Sequence, residues 1–489
     1  MNYSTRLMLI LCTGVIILPG CTLYQKPEVP VINHPEEFKV NIKKDEFPEL
    51  NDRWWENFNN PQLNKLVEQS IKHNYSYQVA LTNIDIAQTY VDISMTGLFP
   101  LVGGDFSSSR NKRIVNVGTD ISSAPQLTTG GAGLPFNLNL ITATAAYEID
   151  VWNSVHNAVD QAKSNKLSVE GNTNVVRLTL ISSVVNTYYE IMALSQDIQN
   201  LKKQLKAARE MLALFKIQYQ SGLIDESQVY LASTELENIS NTLNLNKKQK
   251  EILEYGLAYL IGEYPENFSI KPEGHINELH FAQLIPEGIP SHVIGMRPDV
   301  QSDLGQILAF GYLQKQDIAA FLPNFTMTSS YGYASNVLSQ LIKNSNVLWN
   351  YGINVAQTFF NYPALISQYQ QAKLQYQSAV YAYQNTVQNA FFEVDSALVS
   401  YQKDSMIMHS LRTEQENANE LFKIAKAKYH AGLTDYTDYL TNNINELQST
   451  YNLTNQQLVV VQDIIQAYKS MGLGVQPTKP VESDVASAS

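Results

Sequence analysis

Few residues in this chain are spaced for bond-making chemistry. His275, His280 and His292 fall close together, but they lack the ligand spacing of a zinc site and have no cysteine beside them, so they read as linker histidines rather than a metal centre. The carboxylates show no pairing that singles out an acid and a base. No glycine loop is built to cradle phosphate, and no nucleophile sits on a strand-to-helix elbow. An enzyme is not expected, nor a metal or cofactor. The acids that stand out do so by position. Asp225 and Glu226 follow Gly222-Leu223, and Asp435 and Asp438 follow Gly432-Leu433. Their chemistry would be electrostatic: they would favour cations and repel one another.

The chain has two cysteines, Cys12 and Cys21, and neither reads as half of a disulfide. Residues 1–20 read as a secretory signal. Arg6 supplies the positive charge, and Leu7 to Leu18 form an apolar core too short to span a bilayer. Leu18-Pro19-Gly20-Cys21 resembles a bacterial lipoprotein box, in which cleavage exposes a cysteine that takes lipid, although Pro19 stands where a small residue is usual. Covalent lipid on Cys21 is then the one non-protein group expected. Thr22 is not the aspartate that, among lipoproteins, typically retains the protein at the inner membrane.

The elements that must position the acidic sites occur twice. Tyr219-Gln220-Ser221-Gly222-Leu223-Ile224-Asp225 and Tyr429-His430-Ala431-Gly432-Leu433-Thr434-Asp435 each interrupt a long amphipathic run. Glycine weakens a helix interior by roughly 1 kcal/mol but accepts the positive φ of a tight helix-to-helix turn, so each copy reads as the tip of a helical hairpin. The two glycines are separated by 432 − 222 = 210, and the same offset relates Gln161-Ala162-Lys163 to Gln371-Ala372-Lys373 and Gly262 to Gly472. A register held that long is an internal tandem repeat. Near the tips, Leu201, Leu205, Ala208, Leu212, Phe215 and Tyr219 step by four and three as in a coiled-coil seam. The helix from 153 to 218 would extend ~100 Å if continuous, and Gly171 is expected to interrupt it.

Between helical stretches the period changes to two. Strands are expected at Leu101 to Arg113 and Leu138 to Ile149, with a Gly/Ser/Thr-rich loop at 118–133 between them, and again from Phe325 and from Trp349. Ile141, Ala143, Ala145, Tyr147 and Ile149 share one face of their strand. Trp349, Tyr351, Ile353, Val355 and Phe359 share one face of the last strand, with Asn350, Gly352, Asn354, Ala356 and Thr358 on the other. Apolar-out, polar-in alternation suits a transmembrane β-barrel, though a half-buried strand of a soluble sheet gives the same period. No later segment has the ~20 apolar residues of a membrane helix, so a membrane crossing would have to use strands. Four strands cannot close a barrel, so a membrane-spanning chain must associate, as two copies or three. The net charge of −12 argues against a nucleic-acid partner.

The domain plan is therefore a signal (1–20), a lipid-anchored tether (21–60), and a first repeat (61–290) with a β-hairpin at about 100–150 and a helical hairpin at about 151–262. A second repeat (291–474) has its β-hairpin at about 323–360 and helical hairpin at about 361–472, and a polar tail expected to be disordered (475–489) follows. One continuous helical run is expected from Leu63 to about Gly97, and a second from Pro298 to about Phe321.

Several motifs resemble the TolC-like outer-membrane factor family, in its lipoprotein branch. They are Trp54-Trp55 with Phe58 and Asn60-Pro61-Gln62-Leu63; Tyr147-Glu148-Ile149-Asp150-Val151-Trp152; Arg297-Pro298-Asp299-Val300; Ala319-Ala320-Phe321-Leu322-Pro323; and the paired Tyr-x-x-Gly-Leu tips. The resemblance implies a mainly α-helical chain whose long antiparallel hairpins build an α-barrel, with four β-strands per chain entering a trimeric twelve-stranded barrel in the outer membrane. It implies a homotrimer serving as a passive exit duct for drugs or other small molecules. A periplasmic adaptor and an inner-membrane pump would dock at Gly222, Leu223, Gly432 and Leu433, with Asp225, Asp435 and Asp438 as pore-mouth acids. Two positions depart from the family: Asn361-Tyr362-Pro363 stands where a glycine-rich turn is usual, and Thr441 stands at the family's acidic gate position. Two other readings remain open from the sequence: a lipid-anchored periplasmic scaffold without a pore, and the exit duct of a type I protein secretion system.

Overall fold

A computed structural model of the chain describes residues 25–30, 53–112, 135–279, 291–357 and 361–474. The signal and Cys21, the 118–133 loop, His280, Thr358, Phe359 and the tail from 475 lie outside the described residues. After a 3₁₀ turn at Trp54–Phe58 come α1 (Pro61–His73), α2 (Tyr75–Thr96), β1 (Leu101–Lys112), β2 (Pro135–Ile149), α3 (Ser154–Gln220) and α4 (Glu226–Leu260). Then follow α5 (Pro298–Ala319), β3 (Asn324–Ser335), β4 (Val347–Ala356), α6 (Tyr362–His430) and α7 (Tyr436–Ser470).

The duplication holds element by element. Helices α2 and α5 each have 22 residues, β1 and β3 each have 12, and α4 and α7 each have 35. The offset between starting positions is the same for α2 and α5 (298 − 75 = 223) as for β1 and β3 (324 − 101 = 223), whereas for α4 and α7 it is 436 − 226 = 210. The difference is absorbed within the two strand hairpins.

The chain divides into two compact units, the first of residues 1–29, 86–166 and 305–380, the second of 30–85, 167–304 and 381–489. The first holds one antiparallel sheet in the order β1-β2-β3-β4. Its register aligns the apolar positions across strands. Phe106 and Tyr333 both pair with Ile141, Tyr331 pairs with Ala143 and Trp349, and Met327 pairs with Tyr147 and Ile353. The alternate positions align too: Thr326 pairs with Glu148 and Asn354, and Ser330 with Thr144 and Asn350. Because successive side chains point to opposite faces, one face is apolar and aromatic, and the other is small and polar. Strands β1 and β4 are its two edges. After β2 the Tyr147–Trp152 motif is structural. Asp150 caps α3, its carboxylate accepting from the amides of Val155 (3.1 Å) and His156 (2.9 Å), and the Trp152 indole N–H donates to the Pro323 carbonyl (2.7 Å).

The second unit holds the main core. Trp54 is fully buried and stacks on Tyr468 at 5.0 Å, among Ile181, Val184, Tyr188, Leu257 and Ile464. Burying each such side chain contributes about 1.5–3 kcal/mol. Two expectations need correction here. Gly171 does not interrupt α3, which runs unbroken for 67 residues. A Cβ at Gly171 would lie 2.7 Å from both the Pro298 carbonyl oxygen and the Ser302 amide nitrogen, so this glycine admits α5 at close range. Ser168 and Ser302 hydroxyls meet beside it at 3.0 Å. Nor is the run from Leu63 to Gly97 one helix. It breaks at Asn74, whose side chain accepts from the Tyr77 amide (3.0 Å) and donates to the Leu260 carbonyl (3.0 Å). A side chain that satisfies two backbone groups makes the break favourable.

Candidate functional site at the hairpin tips

Each tip is built the same way. Gly222 (φ 70°) and Gly432 (φ 68°) are left-handed. The amide of Leu223 donates to the Gln218 carbonyl (2.9 Å) and that of Gly222 to Tyr219 (2.9 Å). Leu433 and Gly432 repeat this with Lys428 (2.9 Å) and Tyr429 (3.0 Å). This pair of bonds is the Schellman closure of a helix C-terminus. The next helix is then capped by an aspartate: Asp225 accepts from the Ser227 amide (2.8 Å), and Asp435 from the Asp438 amide (2.8 Å). The Ser227 amide holds the exposed Asp225 carboxyl below its ordinary range. Asp438 is also engaged, accepting from the Thr434 hydroxyl at 2.8 Å. The acids therefore serve the turns as well as carrying charge. The leucines do not staple the turns, since Leu223 is 73% exposed and Leu433 is 77% exposed. Thr441 is exposed on the first turns of α7.

The tips differ in what surrounds them. At the second, Tyr429, Tyr436, Tyr439 and Phe422 gather, with ring centroids 5.1–5.5 Å apart. The Tyr436 hydroxyl donates to Glu210 of α3 (2.8 Å). Burial, and then the Glu210 carboxylate, push this phenol up to about 12. Sequence reasoning missed this link, and it missed two more along the same helix pair. Asn455 donates to Asp197 (3.3 Å), and Gln462 to Glu190 (2.9 Å). In all three the carboxylate is on α3 and the α7 partner is uncharged. The His275 ring meets Gln196 at 2.9 Å, and no cluster of metal-ligating side chains occurs among the described residues.

Asp197 is 1% exposed, and burial pushes its carboxyl up to about 7, against a small opposing effect from Asn455. An unfolded aspartate titrates near ~3.9. Between those values the folded chain holds more protons than the unfolded one, so stability falls as pH rises from about 4 to 7. Asp197→Asn is expected to remove that slope and to be more stable than wild type at pH 8 by a few kcal/mol, at about 1.4 kcal/mol per unit. Urea midpoints at pH 5 and pH 8 check this; an unchanged difference between them would contradict it.

The described residues thus present an amphipathic four-stranded sheet and two long helical hairpins in tandem repeat. The chain belongs to the outer membrane efflux protein family, whose profile matches residues 66–263 and 289–473. It is similar to the probable efflux pump outer membrane protein TtgC of Pseudomonas putida, 25% identical, with 96% of each chain covered. It is also similar to the pyoverdine export outer membrane protein OpmQ of the same species, 25% identical over 88% of this chain and 89% of that one. Among solved structures, the CmeC outer membrane channel of Campylobacter jejuni superposes with a TM-score of 0.80 at 24% identity, covering 94% of this chain and 96% of that one. The open MtrE channel of Neisseria gonorrhoeae gives 0.79 at 21% identity, covering 93% and 98%. The protein is an outer-membrane efflux channel.

Proposed function

We propose that three copies close one twelve-stranded barrel and that the tips receive a periplasmic adaptor, through which an inner-membrane pump delivers small-molecule cargo. The observation that carries this reading is the open sheet. Among the described residues its edges β1 and β4 have no strand partner, and open edges in lipid leave backbone groups unsatisfied at several kcal/mol each. Twelve strands is the number implied by the resemblance to TolC-like channels. The relatives' names cover toluene, antibiotics and pyoverdine, which fits a passive duct whose cargo the pump selects. The exposed Leu223 and Leu433 supply apolar contact for the adaptor. Asp225, Asp435 and Asp438, repeated threefold, make the mouth favour cations.

Leu433→Asp tests the docking role. Because Leu433 touches little in the folded chain, melting should stay within about 0.5 kcal/mol of wild type, while efflux and cross-linking to the adaptor are lost. A variant that folds and still cross-links to the adaptor would reject the assignment. We propose further that Cys21 carries the lipid, on the strength of the box at Leu18 to Cys21. Cys21→Ser should abolish incorporation of a fatty-acid analogue while some membrane residence survives through the strands; equal labelling of both proteins would refute lipidation.

A further inference from the structure

The apolar face of the sheet stops at one row. Moving away from the helices, β2 presents Tyr147, Ala145, Ala143 and Ile141 on that face, and β3 presents Phe325, Met327, Tyr331 and Tyr333, with Ser329 filling one place. The last row pairs Ile141 with Phe106 of β1 and with Tyr333, and Tyr333 with Val347 of β4. From Phe325 to Tyr333 is 333 − 325 = 8 positions, or ~26 Å along the strand. At the ~40° tilt of barrel strands this is ~20 Å of height, close to the ~25 Å apolar band of an outer-membrane barrel.

The next positions on the same face are polar. Asn139 pairs with Ser108 on one side and Ser335 on the other. The Ser108 hydroxyl donates to the Asn139 side-chain oxygen (2.7 Å), and the Asn139 amide donates to the Ser335 carbonyl (3.1 Å). One step further on, Arg110 pairs with Asn137. Arg110 is exposed, and its guanidinium has no hydrogen-bond or ion-pair partner among the described residues. It stands 110 − 106 = 4 positions past Phe106, which is ~10 Å above the apolar band at that tilt. This is the depth of lipid headgroups.

The loop between β3 and β4 supplies a second base at this end. Lys343 is exposed and lies four residues before Val347. Its carbonyl accepts from the Asn346 amide (2.8 Å), and the Asn346 side chain donates to the Gln340 carbonyl (2.6 Å). Leu338 and Ile342 of the same loop are 59% and 73% exposed. Among the described residues at this end (106–112, 135–141 and 333–347), Arg110, Lys112 and Lys343 are basic and none is acidic. Unpaired cations beside exposed apolar side chains, just past an apolar band, suit an anionic headgroup and its acyl chains.

The two bases come together only between copies. Within one chain β2 and β3 separate β1 from β4, a distance of about 14 Å at ~4.8 Å per strand. In a closed barrel β4 of one copy lies beside β1 of the next, one strand spacing away. Lys343 of one copy and Arg110 of the next then flank each junction. With the helical hairpins in the periplasm, this end of the strands lies in the outer leaflet.

We infer that Arg110 of one copy and Lys343 of the next hold the phosphate groups of a phosphorylated lipid in the outer leaflet. This rests on the threefold assembly proposed above. The test measures binding of fluorescent lipopolysaccharide to the full-length protein in detergent, with divalent cations removed. Arg110→Gln and Lys343→Gln should each weaken binding about fivefold, and the two together about thirtyfold, for one and two surface cations lost. Arg110→Lys, which keeps the charge, should bind close to wild type. Lipopolysaccharide stripped of its phosphates should bind wild type no better than the intact lipid binds the double variant. The stripped lipid tests the site on the wild-type protein, so the site can fail without any variant having to fold. A wild-type protein that light scattering shows as a single copy overturns the assembly and this site with it. A three-copy protein that binds stripped and intact lipid alike, or whose double variant binds as tightly as wild type, overturns the site alone.

Discussion

Arg297→Met is expected to lower stability by about 3 kcal/mol, toward the lower end of what breaking a buried charge network costs. Arg297 is buried and uses its whole fork. Its guanidinium donates to both Asp299 oxygens (3.1 and 2.7 Å), to Glu393 of α6 (2.8 Å) and to the Ser470 carbonyl at the end of α7 (2.7 Å). One side chain thereby joins the start of α5 to both helices of the second hairpin. Burial pulls its pKa down, yet the two carboxylates outweigh burial and the net direction is up, as a guanidinium held by anions should behave. Methionine fills much of the volume but removes the cation from Asp299 and Glu393, which keep only the Val300 amide and the Asn389 side chain as donors, and takes the guanidinium from the Ser470 carbonyl. The two carboxylates are each about a third exposed, so water recovers part of the loss, which is why the lower end is expected. Arg297→Lys should recover only part of the stability, because an ammonium cannot reproduce the fork. The shift in denaturation midpoint checks this, and a loss under about 1 kcal/mol would show that the network contributes little.

Ile353→Arg should block assembly, whereas Asn354→Arg should assemble and change conductance. The two residues are neighbours on β4, opposite Met327 and Thr326 of β3, and so belong to opposite faces of the sheet. An arginine on a barrel's lipid face costs about 2–4 kcal/mol near the midplane, repeated in each copy, while a water-lined face accommodates it. Folding into liposomes measures the first effect and planar-bilayer current the second. Equal tolerance at both positions would contradict the face assignment.

Much of this fold was legible because the repeat writes it twice. Gly222 and Gly432 marked the turns, and strand periodicity told the faces apart before any pairing was known. The pairing confirmed them, with Tyr331 meeting Trp349 across the sheet. What escaped was set by contacts between distant residues. Asp197 and Asn455 are 258 positions apart, and no local pattern marks either. Gly171 was misread because helix propensity charges a glycine locally, whereas the gain from admitting Pro298 and Ser302 is tertiary. Asn74 was missed because the apolar period runs on through it, and only its bond to Leu260 reveals the break. At the tips, position was readable, but the commitment of Asp225 and Asp435 to capping was not separated from their charge.

The tip glycines have one more consequence. A Cβ added at Gly222 or Gly432 would meet nothing within 4 Å, although both residues are left-handed. These sites do not need a small residue; they need one of the opposite hand. A D-alanine introduced at either position by chemical synthesis would satisfy the backbone, find open space, and narrow the conformations of the unfolded chain. L-alanine, equal to it in every atom, would strain the same turn. The tips are therefore places where the chain is limited by the chirality of its building blocks.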